Sequence, residues 1–146
     1  CIKKEFKAWD YTESDKFEIS EYKFIQNNDN WDVLRNSKLI FSLPINGYEL
    51  AETLVCGICS TDINRRFLPF PLPQVIGHEI IGKINNKKCC FEITDNCLAH
   101  NSKDIDIFCN YGLSKHCPLG YCLGINTLLG GFSPFILVPK NSIIYY

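Results

Sequence analysis

The feature that most constrains this chain is that its hydrophobic residues come in short runs interrupted by glycine and proline. Runs rich in aromatic and β-branched residues include 3–9, 16–25 and 39–43, and helical periodicity nowhere lasts beyond about three turns. Such punctuation is typical of β-barrels and β-sandwiches. The sequence therefore predicts a mainly β fold. Its 146 residues fit a single domain, 1–146, with enough length to bury a core.

Two neighbouring segments near the N-terminus carry specific predictions. Within 16–25, Phe17 and Ile19 share one face of a strand, whereas the later aromatic residues share the other. That change of phase predicts a bulge or two short strands. The polar, asparagine-rich segment 26–32 is predicted to be a turn.

Residues 60–66 are predicted to form one or two helical turns, with Ser60 or Thr61 as the N-cap. Arg65 and Arg66 are expected on the solvent-exposed face of these turns. Further strands are expected at 75–84, 90–98 and 132–138.

Composition argues against several classes of function. A net charge of −1 provides no electrostatic surface for nucleic acid. No apolar run approaches the roughly 20 residues that cross a bilayer, and no charged-then-apolar leader is visible. The nine cysteines are odd in number and scattered, which indicates reduced thiols rather than a disulfide framework. We therefore expect a soluble, cytoplasmic protein.

The chemistry of the chain concentrates in residues 55–84. This stretch brings Cys59, Asp62, His78 and Glu79 together between hydrophobic strands. A thiolate and an imidazole are ligands that suit zinc, and folding can bring two ligands this far apart in sequence together. The stretch is therefore the predicted metal site.

Three sequence blocks carry a resemblance to a known family. They are CGICSTD at 56–62, GHE at 77–79, and GGF at 130–132 running into Val138-Pro139. In this order and near this spacing, they resemble the N-terminal, GroES-like domain of the zinc-dependent medium-chain alcohol dehydrogenases. The resemblance covers nearly the whole chain. It implies a partly open β-barrel with short helices and a long lobe loop.

The resemblance also implies a role for each site residue. Cys59 and His78 fall on two catalytic zinc ligands, and Glu79 falls on the acidic neighbour that approaches or joins the metal. Thr61 falls on the hydroxyl that exchanges a proton with the substrate oxygen, and Asp62 on the carboxylate that orients the imidazole. In such enzymes, zinc polarises an alcohol or carbonyl oxygen while a nicotinamide cofactor exchanges a hydride with the carbon.

Elementary chemistry agrees with these implied roles. An alcohol is too weak an acid to lose its proton at neutral pH, so a Lewis acid must stabilise the alkoxide. A thiolate with a neutral imidazole leaves zinc an open position for that oxygen. A carboxylate behind the imidazole fixes its tautomer, and a hydroxyl beside the metal can carry the proton away.

The family's second, structural zinc site is only partly matched. Cys109 and Cys117 keep the spacing of its last two cysteines, but Lys103 and Asp106 stand at the first two positions. Lysine is not an ordinary zinc ligand, so Asp106, Cys109 and Cys117 are weak metal candidates. The two cysteines are expected to be unbridged thiols.

Two functional hypotheses follow from the sequence. No GxGxxG motif follows a strand, so NAD(P) is expected only if a Rossmann-domain partner supplies its site. The leading hypothesis is the zinc-binding catalytic domain of an oxidoreductase for small alcohols or aldehydes. The alternative is a catalytically inactive GroES-like remnant, acting as a binding or structural subunit through an exposed domain interface that also permits self-association. An unrelated zinc module would require coincidental motif spacing.

Overall fold

Antiparallel strands dominate the computed structural model, which describes residues 2–94, 107–111 and 120–146. A four-stranded sheet contains, in spatial order, β1 (Lys3–Tyr11), β2 (Phe17–Gln26), β3 (Asn30–Arg35) and β4 (Lys38–Pro44). A five-stranded sheet contains, in spatial order, β8 (Phe135–Pro139), β5 (Tyr48–Gly57), β6 (Glu79–Ile84), β7 (Lys87–Phe91) and β9 (Ile143–Tyr145). The prediction of a mainly β fold is confirmed.

The described helices are short. They are α1 (Ser60–Ile63), α2 (Ile107–Asn110) and two single turns of 3-10 helix, Arg65–Phe67 and Lys140–Ser142. None of them is long and apolar enough to span a bilayer. Most of the predicted lobe loop, including Lys103, Asp106 and Cys117, lies outside the described residues.

The hydrophobic core lies between the two sheets. Fully buried side chains come from both sheets and from the loops that close them: Phe24, Val33, Leu43, Tyr48, Ile136, Val138, Leu123 and Leu128. The ring of Phe6 on β1 lies 5.7 Å from that of Phe135 on β8. Burial of these apolar side chains provides the main stabilisation.

The predicted break within 16–25 is wrong. β2 pairs with β1 without interruption from Lys3↔Ile25 to Tyr11↔Phe17. Phe17 and Ile19 lie on the same face of β2, and both are about half exposed. β2 is therefore one continuous strand, and both of its faces carry large apolar side chains.

Several predicted boundaries also differ from the structure. The predicted turn 26–32 ends early, because β3 begins at Asn30 and buries Trp31 and Val33. The strand expected at 75–84 begins only at Glu79, and the one expected at 132–138 begins at Phe135. β7 ends at Phe91, and residues 95–98 of the strand expected at 90–98 lie outside the described part.

Candidate metal centre

The pairing of β5 with β6 brings the predicted metal ligands together. Gly57, the last residue of β5, lies opposite Glu79, the first residue of β6. Cys59 follows the end of β5 by two residues, and His78 directly precedes β6. The antiparallel register therefore places both segments at one end of the five-stranded sheet.

The ligand atoms of Cys59, His78 and Glu79 all lie within 4.8 Å of one another. Cys59 and His78 are half-buried, whereas Glu79 is exposed. Ligands about 2.0–2.3 Å from a tetrahedral zinc ion lie about 3.3–3.8 Å from one another. Their proximity makes these three side chains candidate ligands of one metal ion.

Asp62 connects the two ligand-bearing segments. It is buried, and its Oδ2 accepts a hydrogen bond from the backbone N–H of Cys59 at 3.0 Å. Its Oδ1 lies 3.7 Å from Nδ1 of His78. That nitrogen is buried and has no hydrogen-bond partner among the described residues. Asp62 thus faces the imidazole edge that metal binding through Nε2 would leave free.

Cys59 is the N-cap of α1, in place of the predicted Ser60 or Thr61. Its backbone is extended, with φ −92° and ψ 159°, and its carbonyl accepts the N–H of Asp62 at 3.0 Å. Oγ1 of Thr61, in the first turn, lies 3.7 Å from Sγ of Cys59. The N-cap position of Cys59 therefore places its thiol close to the hydroxyl of Thr61.

The third sequence block, GGF at 130–132, is hydrogen-bonded to the segment that leads into His78. The backbone N–H groups of Gly130, Gly131 and Phe132 donate to the carbonyls of Val75, Gly77 and Ile76, at 2.8, 2.9 and 3.1 Å. Gly77 has φ +104°, a conformation that residues with a Cβ rarely adopt. This pairing fixes the backbone immediately before His78.

Cys56 is a second thiol near the centre, with a different environment. Burial, and then the nearby charge of Asp62, raises its pKa to about 11. Cys56 is therefore protonated at neutral pH. Cys59 is the thiol that lies with His78 and Glu79.

The prediction that Arg65 is solvent-exposed is wrong. Its side chain is only 2% exposed and donates from Nη2 to the carbonyls of Pro71, at 3.1 Å, and Ile125, at 2.6 Å. Burial lowers its pKa, an effect that Asp62 opposes. Arg66 is exposed, as predicted, and pairs with Asp15 at 2.8 Å.

A cleft of about 420 Å³ opens beside Asp62. Its walls come from the end of the β1–β2 hairpin, from α1 and its flanks, and from the segments around Gly77 and Gly131: Tyr11, Asp15, Phe17, Ile58, Asp62, Ile63, Ile76 and Phe132. Sequence reasoning missed the aromatic members of this wall. They are distant in sequence from the metal motif, and no local pattern connects them with it.

Within the described ranges, Cys59, His78 and Glu79 form the grouping of His, Cys and acidic side chains that could hold a metal. Asp106 and Cys117 lie outside these ranges. Cys109 is a half-buried cysteine on α2. The weak second metal site therefore stays a prediction.

A family comparison identifies the domain. The model of the alcohol dehydrogenase GroES-like domain matches residues 47–146, more than half of the chain. The chain belongs to this family. The mainly β architecture is the GroES-like fold that the sequence predicted, with the five-stranded sheet inside the matched range. The four-stranded sheet, formed by residues 2–46, precedes that range. A search of the curated proteins found no match.

Solved structures show the same fold. A short chain alcohol dehydrogenase (RspB) from E. coli, complexed with NADH, matches with a TM-score of 0.68 and 18% identity, over 97% of this chain and 38% of that one. A 2R,3R-butanediol dehydrogenase from Bacillus subtilis matches with a TM-score of 0.58 and 16% identity, over 96% and 40%. AibC matches with a TM-score of 0.60 and 17% identity, over 97% and 38%. This chain thus spans well under half of the length of each of these structures.

Proposed function

We propose that this GroES-like domain binds zinc through Cys59, His78 and Glu79 and is the metal-binding catalytic domain of an alcohol dehydrogenase-type oxidoreductase. The observation that carries the proposal is the convergence of these three ligand atoms within 4.8 Å of one another. Their chemistry, one thiolate, one imidazole and one carboxylate, is a combination of donors that zinc accepts in proteins. Membership of the alcohol dehydrogenase family supports the same reading.

The residues around the ligands support a division of labour. When bound, zinc would polarise the oxygen of an alcohol or carbonyl compound. Asp62 holds the backbone of Cys59 and faces Nδ1 of His78, so it would keep the imidazole in the tautomer that leaves Nε2 free. Thr61, with its Oγ1 3.7 Å from the thiol, would hold or pass the proton of the substrate hydroxyl.

The hydride partner belongs to the same proposal. Alcohol oxidation transfers a hydride from carbon to an acceptor, and a nicotinamide cofactor is the acceptor that the family resemblance implies. Its phosphates and ribose would require a Rossmann-type domain beside this one. The substrate class that this domain would handle is a small alcohol or aldehyde.

Metal analysis of the purified chain tests the proposal. We expect about one zinc per chain in the wild type and loss of that zinc in Cys59→Ala and in His78→Ala. Cys90→Ala is the matched control, because Cys90 is a half-buried cysteine on β7 away from the three ligands, and it should retain zinc. A folded wild-type chain without zinc would refute the proposal. That result would favour the inactive binding or structural subunit instead.

A further inference from the structure

The first strand of the four-stranded sheet has an unpaired edge. β1 lies at the border of that sheet, and its neighbour there is β2. The even-numbered residues of this segment bond to β2, as the N–H of Gln26 shows by donating to the carbonyl of Ile2 at 2.8 Å. Successive residues of a strand direct their backbone groups to opposite sides. The backbone groups of residues 3, 5, 7 and 9 therefore point away from β2.

Only one end of this edge is covered by a described segment. The backbone of Tyr11 exchanges hydrogen bonds with that of Gln74, at 2.8 and 3.1 Å. Among the residues that the structure describes, no backbone group bonds to the outward groups of residues 3, 5, 7 and 9. We call residues 3–9 the open edge of β1, and its midpoint is Phe6. An unpaired strand edge is a surface to which another strand can add.

The side chains along the open edge alternate in charge. Lys3, Glu5, Lys7 and Trp9 are exposed, and Trp9 is 50% exposed. Because alternate residues share one face of a strand, these side chains form a single outward row. Glu5 pairs with Lys3 at 3.1 Å and with Lys23 at 3.2 Å. Lys7 forms no ion pair with any described residue.

We propose that two copies of this chain associate by antiparallel pairing of their open edges, about a two-fold axis at Phe6. In this register, Lys3 of one copy lies opposite Trp9 of the other. Glu5 likewise lies opposite Lys7, and the two-fold axis repeats each pair. The residues that face each other are those with unpaired backbone groups, so each pair exchanges hydrogen bonds. The two four-stranded sheets then form one continuous sheet.

The charges of the row select this register. Opposite charges directly across an antiparallel pair stabilise it, and like charges destabilise it. In the proposed register every Glu5 meets a Lys7, and every Lys3 meets the ring of Trp9, which attracts an ammonium group. A shift by two residues in one direction places Glu5 opposite Glu5. The same shift in the other direction places Lys7 opposite Lys7. Both neighbouring registers are therefore disfavoured.

The other edge of the same sheet lacks this pattern. Lysines on an edge strand ordinarily prevent pairing with another chain. β4 carries one charged side chain, Lys38, and ends at Pro44, so it has no acidic residue to meet the lysine of a second copy. On the open edge of β1, each lysine has a complementary partner in the second copy. The occupant that fits this edge is therefore another copy of the chain itself.

Charge reversal tests the proposal, with sedimentation velocity across the micromolar range to measure association. Lys7→Glu places two acidic pairs across the axis, and Glu5→Lys places two basic pairs there. We expect each variant to raise the dissociation constant of the dimer about tenfold or more. An equimolar mixture of the two variants should associate like the wild type, because every pair across the axis then joins one acid and one base.

Two further variants locate the contact. Lys38→Glu changes the net charge as Lys7→Glu does, but on β4, and it should associate like the wild type. Lys7→Pro removes an N–H that points away from β2, so it should abolish association while circular dichroism shows a folded chain.

Three results would overturn the proposal. They are a wild-type chain that stays monomeric across the concentration range, a mixture of the charge-reversed variants that fails to associate, and equal weakening by Lys7→Glu and Lys38→Glu. A dimer that persists in Lys7→Pro would likewise place the contact on another surface. None of these results depends on bound zinc, so the proposed function is tested separately.

Discussion

At the scale of single residues, Asp62 is the side chain that contacts both segments of the candidate metal centre. One of its oxygens accepts the Cys59 N–H and the other faces Nδ1 of His78. Asp62→Asn keeps the size and one acceptor but removes the charge opposite the imidazole. We expect zinc affinity to fall about 10–100-fold, the usual effect of losing such a partner. Competition with a chromogenic chelator measures this affinity.

The control for this variant is Asp32→Asn. Asp32 lies on β3 in the other sheet, where it accepts from Asn27 and Ser42. It should bind zinc like the wild type. If Asp62→Asn also does so, the carboxylate does not support the imidazole.

Two adjacent arginines give a second prediction at this scale. Arg65 is buried and donates to two backbone carbonyls, whereas Arg66 forms an exposed ion pair with Asp15. Arg65→Ala leaves the carbonyls of Pro71 and Ile125 without their donor and opens a cavity. It should lower the free energy of unfolding by about 2–4 kcal/mol, and Arg66→Ala by at most about 1 kcal/mol.

Urea denaturation of both variants beside the wild type measures these differences. Equal losses for the two arginines would contradict the structural role assigned to Arg65. The sequence could not show which of the two arginines is buried. Both follow a helix of only four residues, which is too short for its hydrophobic periodicity to indicate a buried face. The loops that supply the carbonyls of Pro71 and Ile125 surround the guanidinium of Arg65, and these contacts are tertiary.

At the scale of elements, the end of β5 is shaped to accommodate the side chain of Glu79. A Cβ on Gly57 would lie 2.6 Å from Oε2 of Glu79, and the two residues are partners in the β5–β6 ladder. Gly57→Ala should displace that carboxylate while the strands stay paired. We expect weaker zinc binding, about tenfold, with a loss of stability below about 1 kcal/mol.

Gly77→Ala provides the contrast. Its φ of +104° is unfavourable for alanine, and its Cβ would meet Cys56 Sγ at 2.7 Å and the Gly131 backbone at 3.1 Å. This variant should lose stability as well as zinc, and urea denaturation with metal analysis separates the two behaviours. A Gly57→Ala chain that binds zinc normally would argue against a ligand role for Glu79.

The strands show what local sequence could and could not predict. Runs rich in aromatic and β-branched residues predicted β1 and β4 nearly as they are, at 3–9 and 39–43 against Lys3–Tyr11 and Lys38–Pro44. A break was wrongly predicted within β2 because the face that carries Phe17 and Ile19 is apolar, as is the opposite face. β3 was missed because it begins within an asparagine-rich segment, although the alternation of Trp31, Asp32 and Val33 is itself a strand pattern.

At the scale of the whole molecule, sequence motifs predicted which residues would converge but not what would surround them. Cys59, His78 and Glu79 do come together, because the motifs flank two strands that pair directly. The aromatic wall of the cleft depends on how the four-stranded sheet packs near α1. This packing brings the rings of Phe17 and Phe132, which are far apart in the sequence, close together. No local sequence pattern predicts such a contact.

Buried thiols give the molecule a predicted pH dependence. Burial raises the pKa of Cys89 and raises that of Cys56 to about 11, from an ordinary value of 9.0. An acid with a higher pKa in the folded chain holds its proton more tightly there than in the unfolded chain. The stability that each buried, protonated thiol contributes is therefore fully present below about pH 9. It is lost as the pH rises through the folded-state pKa of that thiol. The free energy of unfolding should fall across this alkaline range.

Urea denaturation at several alkaline pH values, with a chelator present to keep metal out, measures this fall. Cys89→Ala removes a fully buried thiol and should show a shallower decline, even if its stability is lower at every pH. Cys90→Ala, next to it on β7 but only half-buried, should keep the slope of the wild type. Identical slopes for the two variants would mean that the Cys89 thiol ionises as readily in the folded chain as in the unfolded one. The alkaline loss would then have to come from other buried acids, among which Tyr22 also has a pKa raised by burial and by Asp10.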